Sequence, residues 1–442
     1  MTITNAPKIV TRRLGFPDSH SLSRYLSTDG YDGLRKALGM SREEVQQEVD
    51  KASLLGRGGA GFPAGRKWSM LRKAEPVYLV VNGDESEPAT FKDHMLIEGD
   101  PHQIIEGTLI TAYTVGAAQA FIYVRGEFAL GLERMTQAVN EAYEYGAIGN
   151  DIFGSGWSID VVVHPGAGAY ICGDETGLLE SLEGKRGFPR IKPPFFPAAI
   201  GLYGAPTVVN NVETMSNIPW IVLNGGDAFA ALGEGSSTGT RLFALAGHVK
   251  NPGNFEVEMA KTTFRDLIYA PVYGGGIRND NELKAFIPGG ASSPWYGPEQ
   301  LDVPLSSEGV STKSAMPGGG GTMLGSGSIV PMDHTTCMVR AAWRLTRFFH
   351  RESCGQCTPC REGSGWLEKI LMRIEQGQGR EADLDLLLDA CDNIAPGLSW
   401  PPQQTTICPL GPSIPSPIAS AIRMFRDEFL VHIKEGACPY GG

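Results

Sequence analysis

The chain has 442 residues and a net charge of −11, from 38 basic and 49 acidic side chains, and it contains no Lys/Arg-rich run. This length is enough for two to four domains, and the acidic balance without a basic cluster argues against a nucleic-acid groove. Eight cysteines, most of them in the last quarter, are too few for a disulfide scaffold and indicate a metal site in a reducing compartment.

The N-terminal half alternates predicted helices and strands. A helix begins at the capping segment Ser41–Glu44, and the apolar spacing then predicts a parallel sheet covered on both faces. The uncharged stretch from Gly107 to Val124 is interrupted by threonines and predicts a buried helix and strand, not a membrane span. The N-terminus has no apolar segment of the kind found in signal peptides. The predicted strands are 76–82, 120–124 and 159–163, and the helices that follow the first are 104–115 and 128–145.

The C-terminal half has a different pattern. Short strands at 241–247, 254–258 and 284–287, with a helix at 263–268, predict a small α+β domain of β-grasp type. Residues 315–328 form a glycine-rich connector. Apolar residues at helical spacing then predict four helices, near 334–350, 361–376, 382–394 and 415–434, which pack most simply as a helical bundle.

A glycine-rich loop at residues 56–61 fits the pattern G-x-G-x-x-G. The dinucleotide fingerprint requires a strand before it, whereas here a helix precedes it, so the motif alone favours a structural turn. Arg57, Arg66 and Lys67 place positive charge beside exposed N–H groups, a combination that suits a phosphate. Phe62 and Trp68 could pack against a ring.

Two more segments follow strand ends, the edge of an open α/β sheet at which ligands bind. The acidic loop, residues 82–88, carries Asp84, Glu85 and Glu87, which could accept hydrogen bonds from sugar hydroxyls; a solvated acidic turn is the alternative. Residues 164–176 combine glycines with a helix N-terminus. Lys192 and Phe195, farther on, could hold a nucleotide by charge and stacking, or belong to a surface loop.

Cys354, Cys357 and Cys360 form a C-x2-C-x2-C segment. Three thiolates in one loop with a distant fourth are typical of 4Fe–4S ligation, whereas structural zinc more often uses separated pairs or histidine. Cys408 and Cys438 both precede proline, so spacing alone leaves the fourth ligand open between them. Cys391, Cys172 and Cys337 are predicted to be buried packing residues.

Six motifs together resemble the NADH-binding flavoprotein subunit of respiratory complex I. The resemblance covers nearly the whole chain, with Asp174, Met70 and Phe196 as departures from the family pattern. The motifs are GRGGAGFPAGRKW (56–68), NGDESEP (82–88), AYICGDET (169–176), KPPF (192–195), NNVET (210–214) and CGQCTPCREG (354–363).

The resemblance implies an α/β and α+β multidomain protein with FMN, one 4Fe–4S cluster and NADH as substrate. It implies an N-terminal leader and helix (1–50), a Rossmann-like FMN- and NADH-binding domain (51–235) and a ubiquitin-like β-grasp domain with the connector (236–330). The last segment (331–442) is implied to be a four-helix bundle that carries the cluster.

Site residues follow by matching motifs and their charged neighbours. The cluster ligands are Cys354, Cys357, Cys360 and, from the C-x-L-G context of the family, Cys408. The NADH residues are Phe62, Glu87, Glu175, Lys192 and Phe195, with Glu175 also the catalytic residue. The FMN residues are Gly56, Arg57, Gly58, Lys67, Asn82, Asp84, Glu85, Tyr170, Gly173, Asp174, Asn210, Asn211 and Thr214.

The implied activity is hydride transfer from NADH to FMN, followed by transfer of single electrons to the 4Fe–4S cluster, to clusters of partner subunits and to quinone. The implied partners are other peripheral-arm subunits, notably a 2Fe–2S thioredoxin-like subunit and a large iron–sulfur subunit, without nucleic acid or direct membrane insertion. The implied location is the cytoplasmic side of the bacterial inner membrane. The alternatives are the diaphorase subunit of an NAD-linked hydrogenase or formate dehydrogenase, and a non-catalytic iron–sulfur scaffold.

Overall fold

The computed structural model describes residues 6–311, 321–398 and 403–440. The chain divides into two compact units: residues 1–86, 90–243 and 254–261 form the first, and residues 87–89, 244–253 and 262–442 form the second. Part of the predicted connector, residues 315–320, and residues 399–402 of the loop before Cys408 lie outside the described residues.

The helices and strands are numbered in chain order. The helices are α1 (Leu22–Leu26), α2 (Asp32–Leu38), α3 (Arg42–Ala52), α4 (Ala64–Ser69), α5 (Lys92–Gly99), α6 (Pro101–Val115), α7 (Ala129–Tyr145), α8 (Glu175–Leu182), α9 (Val212–Asn224), α10 (Gly226–Ala230), α11 (Phe264–Tyr269), α12 (Ser307–Ser311), α13 (Met338–Glu352), α14 (Thr358–Glu375), α15 (Ala382–Ile394), α16 (Leu410–Ser413) and α17 (Pro415–Glu435). The strands are β1 (Tyr78–Gly83), β2 (Gln119–Val124), β3 (Asp160–Pro165), β4 (Thr207–Asn211), β5 (Gly233–Glu234), β6 (Ser237–Thr238), β7 (Thr240–Leu245), β8 (Gly253–Glu258), β9 (Leu283–Ile287) and β10 (Ser328–Asp333).

A four-stranded parallel sheet with the order β3-β2-β1-β4 is the centre of the first unit. The predicted strands correspond to β1, β2 and β3, and the predicted helices to α6 and α7, so the parallel sheet is confirmed. Strand β4 was not predicted. A capping box at Ser41 and Glu44 begins α3, as the sequence indicates.

Helix α6 is buried along almost its whole length. Its threonine side chains are satisfied internally: Thr108 Oγ1 donates to the carbonyl of Ile104 at 2.7 Å, and Thr111 Oγ1 donates to that of Gly107 at 2.8 Å. The predicted buried helix and strand between residues 107 and 124 are thus confirmed. Among the described residues, no helix has both the length and the apolarity needed to cross a membrane.

A buried carboxylate attaches the N-terminal segment to α6. Glu106 accepts hydrogen bonds from the Tyr25 hydroxyl, from Tyr31 N–H at 3.0 Å and from Leu34 N–H at 2.9 Å. Burial raises the pKa of Glu106 from 4.5 to about 7. The folded state therefore binds a proton at this residue more tightly than the unfolded chain does.

This shift predicts a pH dependence of stability. Because the folded pKa is raised, the stabilisation is fully present below about pH 4.5 and is lost as the pH rises through about 7, with a total on the order of 3 kcal/mol. Glu106→Gln cannot ionise, so we expect the stability of the wild type to fall relative to the variant between pH 5 and 8. Thermal unfolding of both proteins across that range measures the difference, and parallel pH profiles would contradict it.

The second unit combines strand pairing with helix packing. Strand β10 pairs in parallel with Ala244 and Leu245 at the end of β7 and antiparallel with β9. Helices α13, α14, α15 and α17 pack against one another. They correspond to the four predicted C-terminal helices, and the loop that carries the C-x2-C-x2-C segment connects α13 to α14.

Candidate functional site

Four predicted motifs meet at the carboxyl edge of the parallel sheet. Asn82 at the end of β1 is the register partner of Asn211 at the end of β4. Asn82 Nδ2 donates to the carbonyl of Gly173 at 2.9 Å, and Arg57 N–H donates to Thr214 Oγ1 at 2.9 Å. The glycine loop, the acidic loop and the segments after β3 and β4 therefore form one site, where open α/β sheets bind ligands.

The glycine loop presents bare backbone to an open space. Gly58 packs against Asn211, since a Cβ there would lie 3.0 Å from the Asn211 Cβ. Gly59 and Gly61 have φ angles of +148° and +65°, and a Cβ on either would meet nothing within 4 Å. A surface with two glycines of this kind, which expose N–H groups and carry no side chain themselves, fits the close approach of a phosphate or a planar ring.

The Arg57 side chain does not join this surface. Its guanidinium is buried and donates to the carbonyls of Thr238 at 3.0 Å and Thr240 at 2.9 Å. Burial lowers the pKa of Arg57 to about 10. The charge of Arg57 thus lies in the interior of the first unit, and it is the backbone of Arg57 that faces the segment after β4.

Glu175 lies between two lysines. Lys67 Nζ donates to Glu175 Oε2 at 3.2 Å and to the carbonyl of Val209 at 3.0 Å, and Lys192 Nζ donates to Glu175 Oε1 at 3.1 Å. Burial on its own would raise the pKa of Glu175, but Lys67 and Lys192 outweigh it and hold that pKa below its usual value. The carboxylate is therefore ionised at neutral pH, with 28% of the side chain exposed.

The segment between β3 and α8 contains a short turn at Tyr170–Gly173, in which Tyr170 is half-buried. Asp174 is the N-cap of α8: its Oδ1 accepts hydrogen bonds from Thr176 N–H at 2.9 Å and Gly177 N–H at 3.1 Å. Lys192 Nζ is 4.0 Å from Asp174 Oδ2. One carboxylate oxygen of Asp174 thus fixes the start of the helix on which Glu175 is the first residue.

At the end of β4, an asparagine caps a helix as Asp174 does, and a second one contacts α4. Asn211 caps α9 by accepting from Glu213 N–H at 3.0 Å, and its Nδ2 donates to Asp93 at 2.6 Å. Asn210, with its amide oriented to suit its neighbours, accepts from Trp68 Nε1 at 2.8 Å. These bonds fix the strand end and α4 to each other.

Sequence reasoning missed a buried charged group beneath this edge. Lys92 Nζ lies 2.8 Å from Asp93 and 2.9 Å from Glu213, and all three side chains are at most 5% exposed. Because Asp93 also accepts the Asn211 amide, the group supports the segment after β4. Glu213 lies within the NNVET motif, which was the one available signal.

The acidic side chains of the acidic loop lie in different environments. Glu85 caps α5, accepting from the N–H groups of Lys92 at 3.0 Å, Asp93 at 2.9 Å and His94 at 2.9 Å; burial raises its pKa to about 7. Asp84 is buried and accepts from the Ser86 hydroxyl at 3.0 Å. The Glu85 carboxylate is thus occupied by backbone donors at the start of α5.

The remaining predicted nucleotide residues lie in separate places. Phe62 and Phe195 are exposed, at 38% and 39%, as are Met70 and Phe196. Glu87 belongs to the second unit, where it accepts from Ser292 N–H at 2.9 Å and Ser292 Oγ at 2.8 Å.

The cysteine loop of the second unit brings thiols together. Cys357 is the N-cap of α14, and Cys360 lies in its first turn. A hydrogen bond from the Cys360 thiol and others from N–H groups, including that of Ile407, lower the pKa of Cys357 to about 6. The hydrogen bond to Cys357 and burial raise the pKa of Cys360, and the charge of Cys408 adds to this effect. The Cys408 segment therefore lies beside the loop, and the sulfur donor set fits an iron–sulfur cluster.

Comparison with known proteins matches two family descriptions to these regions. A "Nuo51 FMN-binding domain" matches residues 49–220, and an "NADH-ubiquinone oxidoreductase-F iron-sulfur binding region" matches residues 340–432. The NADH-quinone oxidoreductase F subunit of Mycobacterium tuberculosis is 48% identical over 98% of this chain and 95% of its own length. The F 2 subunit of the corresponding enzyme in Rhizobium meliloti is 45% identical over 98% and 99%.

A solved structure has a similar fold. The NAD+-reducing [NiFe]-hydrogenase in the H2-reduced state matches with a TM-score of 0.81 and 30% identity, over 99% of this chain and 68% of the hydrogenase chain.

Proposed function

This chain belongs to the family of NADH-quinone oxidoreductase F subunits, and on that premise we propose which of its residues carry out each part of the activity. It is an oxidoreductase flavoprotein subunit with FMN and a 4Fe–4S cluster as cofactors and NADH as substrate. When bound, FMN accepts the electron pair of NADH and supplies single electrons to the cluster.

The main support for the FMN site is that four motifs converge at the carboxyl edge of the sheet. The open side of the glycine loop admits a ring or phosphate, and Lys67 adds positive charge beside it. The amide and carboxylate groups of Asn82 and Asp84 suit ribityl hydroxyls. The backbone N–H of Arg57 and the side-chain carboxylate of Glu85 hold the surrounding segments in place. The proposed FMN residues remain Gly56, Arg57, Gly58, Lys67, Asn82, Asp84, Glu85, Tyr170, Gly173, Asp174, Asn210, Asn211 and Thr214.

For NADH we propose Phe62, Glu87, Glu175, Lys192 and Phe195. The exposed rings of Phe62 and Phe195 have the size and polarity to stack on a base. The ionised Glu175, held by a lysine on each side, positions the reacting ring of the nucleotide. The main catalytic contribution of the chain is therefore the orientation of its substrate.

For the cluster we propose Cys354, Cys357, Cys360 and Cys408. The interaction of Cys357 and Cys360 with each other and with the segment at Ile407 and Cys408 supports this set. The competing fourth ligand, Cys438, interacts with Cys337 instead.

As a member of this family, the chain has other subunits of the oxidoreductase as partners. We propose that these include a 2Fe–2S thioredoxin-like subunit and a large iron–sulfur subunit, with the chain on the cytoplasmic side of the bacterial inner membrane. The β-grasp and four-helix-bundle assignments in the second unit are part of the same proposal.

The similarity to the hydrogenase chain supports one alternative, in which this chain is the diaphorase subunit of an NAD-linked hydrogenase or formate dehydrogenase. The higher identity to quinone oxidoreductase subunits, 45–48% against 30%, favours quinone as the final acceptor. A non-catalytic iron–sulfur scaffold is the second alternative, and bound FMN distinguishes it.

Gly61→Asn tests the FMN site directly. Asparagine tolerates a positive φ, so the substitution adds bulk on the open side of the loop with limited backbone strain. We expect FMN content per chain to fall at least about tenfold, because RT ln 10 is only about 1.4 kcal/mol and a misplaced ring loses several contacts.

The matched control is Gly146→Asn, at a helix end with a φ of +81° and nothing within 4 Å of an added Cβ. It imposes similar strain in open space away from the motifs, and its FMN content should equal that of the wild type. Equal FMN content in both variants would contradict the proposed loop contact.

A further inference from the structure

Four side chains capable of binding a metal converge in the second unit, outside the cysteine loop. They are Cys337 at the N-cap of α13, Glu375 at the end of α14, His432 in α17 and Cys438 beyond it, and one donor atom of each lies within 4.8 Å of the others. The first three residues are buried and Cys438 is partly buried. None of the four belongs to the proposed cluster ligands.

The spacing of the donor atoms fits tetrahedral coordination. Cys337 Sγ is 3.3 Å from His432 Nε2 and 3.5 Å from Glu375 Oε2, and those two atoms are 3.6 Å apart. With Zn–S bonds of about 2.3 Å and Zn–N or Zn–O bonds of about 2.0–2.2 Å, tetrahedral ligand atoms lie about 3.3–3.8 Å from each other. Three of the four donor atoms thus have the spacing of a zinc site, and Cys438 Sγ lies within 4.8 Å of them.

Neighbouring groups orient these donors. His432 Nδ1 donates to the carbonyl of Glu428 at 2.8 Å, which directs the lone pair of Nε2 toward Cys337 and Glu375. Arg340 Nε donates to Glu375 Oε1 at 2.5 Å and leaves Oε2 facing the sulfur. An ion pair between His432 and Glu375 alone would explain one contact, but it gives no reason for two thiols beside a buried carboxylate.

We propose that Cys337, Glu375, His432 and Cys438 bind one Zn²⁺ as a structural site. Two thiolates, a carboxylate and a neutral imidazole fill all four positions, so no position remains open for catalysis. Binding releases the two thiol protons to solvent, and no oxidation or reduction is involved.

The site is separate from the cluster and has a mechanical role. Cys337 precedes the 15-residue helix α13 and Cys354 follows it, so that about 22 Å of helix lies between them. The metal ties the start of α13 and the end of α14 to α17 and the C-terminal tail. It thereby holds the base of the helix pair whose other end carries the cysteine loop.

Metal analysis of the full chain, purified with its cluster, tests the proposal. We expect about one zinc per chain beside the cluster iron. Cys438→Ser and His432→Gln should lose zinc at least about tenfold while keeping iron. Cys408→Ser should lose iron and keep zinc. Cys391→Ser, a fully buried thiol in α15, should keep both.

A measurement on the wild type tests the proposal even if the variants fail to fold. Cys337 and Cys438 should resist alkylation in the native protein until a chelator removes zinc. Growth of the producing cells in cobalt should add thiolate-to-cobalt absorption that Cys438→Ser lacks. A zinc-free protein, a Cys337–Cys438 disulfide in freshly prepared protein, iron in place of zinc at this site, or zinc retained by both variants would each overturn the proposal.

Discussion

Cys408→Ser is expected to remove the 4Fe–4S cluster and to lower NADH:quinone activity by about a hundredfold or more, since hydroxyl is a poor substitute for thiolate as an iron ligand. NADH oxidation by a small soluble one-electron acceptor should persist, because reduced FMN can react with it directly. The measurement combines cluster EPR, FMN content and both activities on the same preparation.

Cys438→Ser is the matched control, because both cysteines precede proline in this chain. It should keep the cluster EPR signal, because the ion that it loses is zinc and not iron. Loss of the cluster in Cys438→Ser but not in Cys408→Ser would reverse the fourth-ligand assignment, and it would contradict the proposed zinc site at the same time.

Glu175→Gln is expected to lower kcat for NADH oxidation by about ten- to a hundredfold, as is typical when a group that orients a substrate is displaced. The substitution removes the charge that fixes Lys67 and Lys192, while the N-cap at Asp174 still begins α8. FMN content should stay near the wild-type value. Steady-state kinetics with NADH and the rate of superoxide release measure the effect.

Glu180→Gln provides the comparison, since Glu180 lies on the same helix and pairs with Arg190 at 2.5 Å. This variant loses an ion pair of similar kind and should keep kcat within about twofold. If Glu175→Gln oxidises NADH and releases superoxide as the wild type does, Glu175 has no positioning role.

The fold was predictable from the sequence wherever periodicity was long. Helices α6 and α7 and strands β1, β2 and β3 follow from their apolar patterns, because each buries a continuous face. Strand β4 was missed because its five residues, bounded by a loop and a helix, give too short an apolar run to separate from a buried helix.

The roles of the site side chains depend on long-range contacts, which cannot be predicted from the spacing of residues in the sequence. The direction of the Arg57 guanidinium is set by carbonyls more than 180 residues away. Cys337 reads as an isolated thiol, since its neighbour His432 is 95 residues farther along the chain. Motifs located the backbone of the site, whereas long-range packing decided which side chains face it.

Anaerobic titration of the purified protein with NADH, followed by flavin absorbance and cluster EPR together, tests the central claim most directly. The account predicts that the flavin band bleaches and the signal of a reduced 4Fe–4S cluster grows within the same titration, so that a nucleotide's electron pair is divided within this one chain. A colourless protein, or a flavin that bleaches fully while no iron–sulfur signal develops at excess NADH, would contradict it.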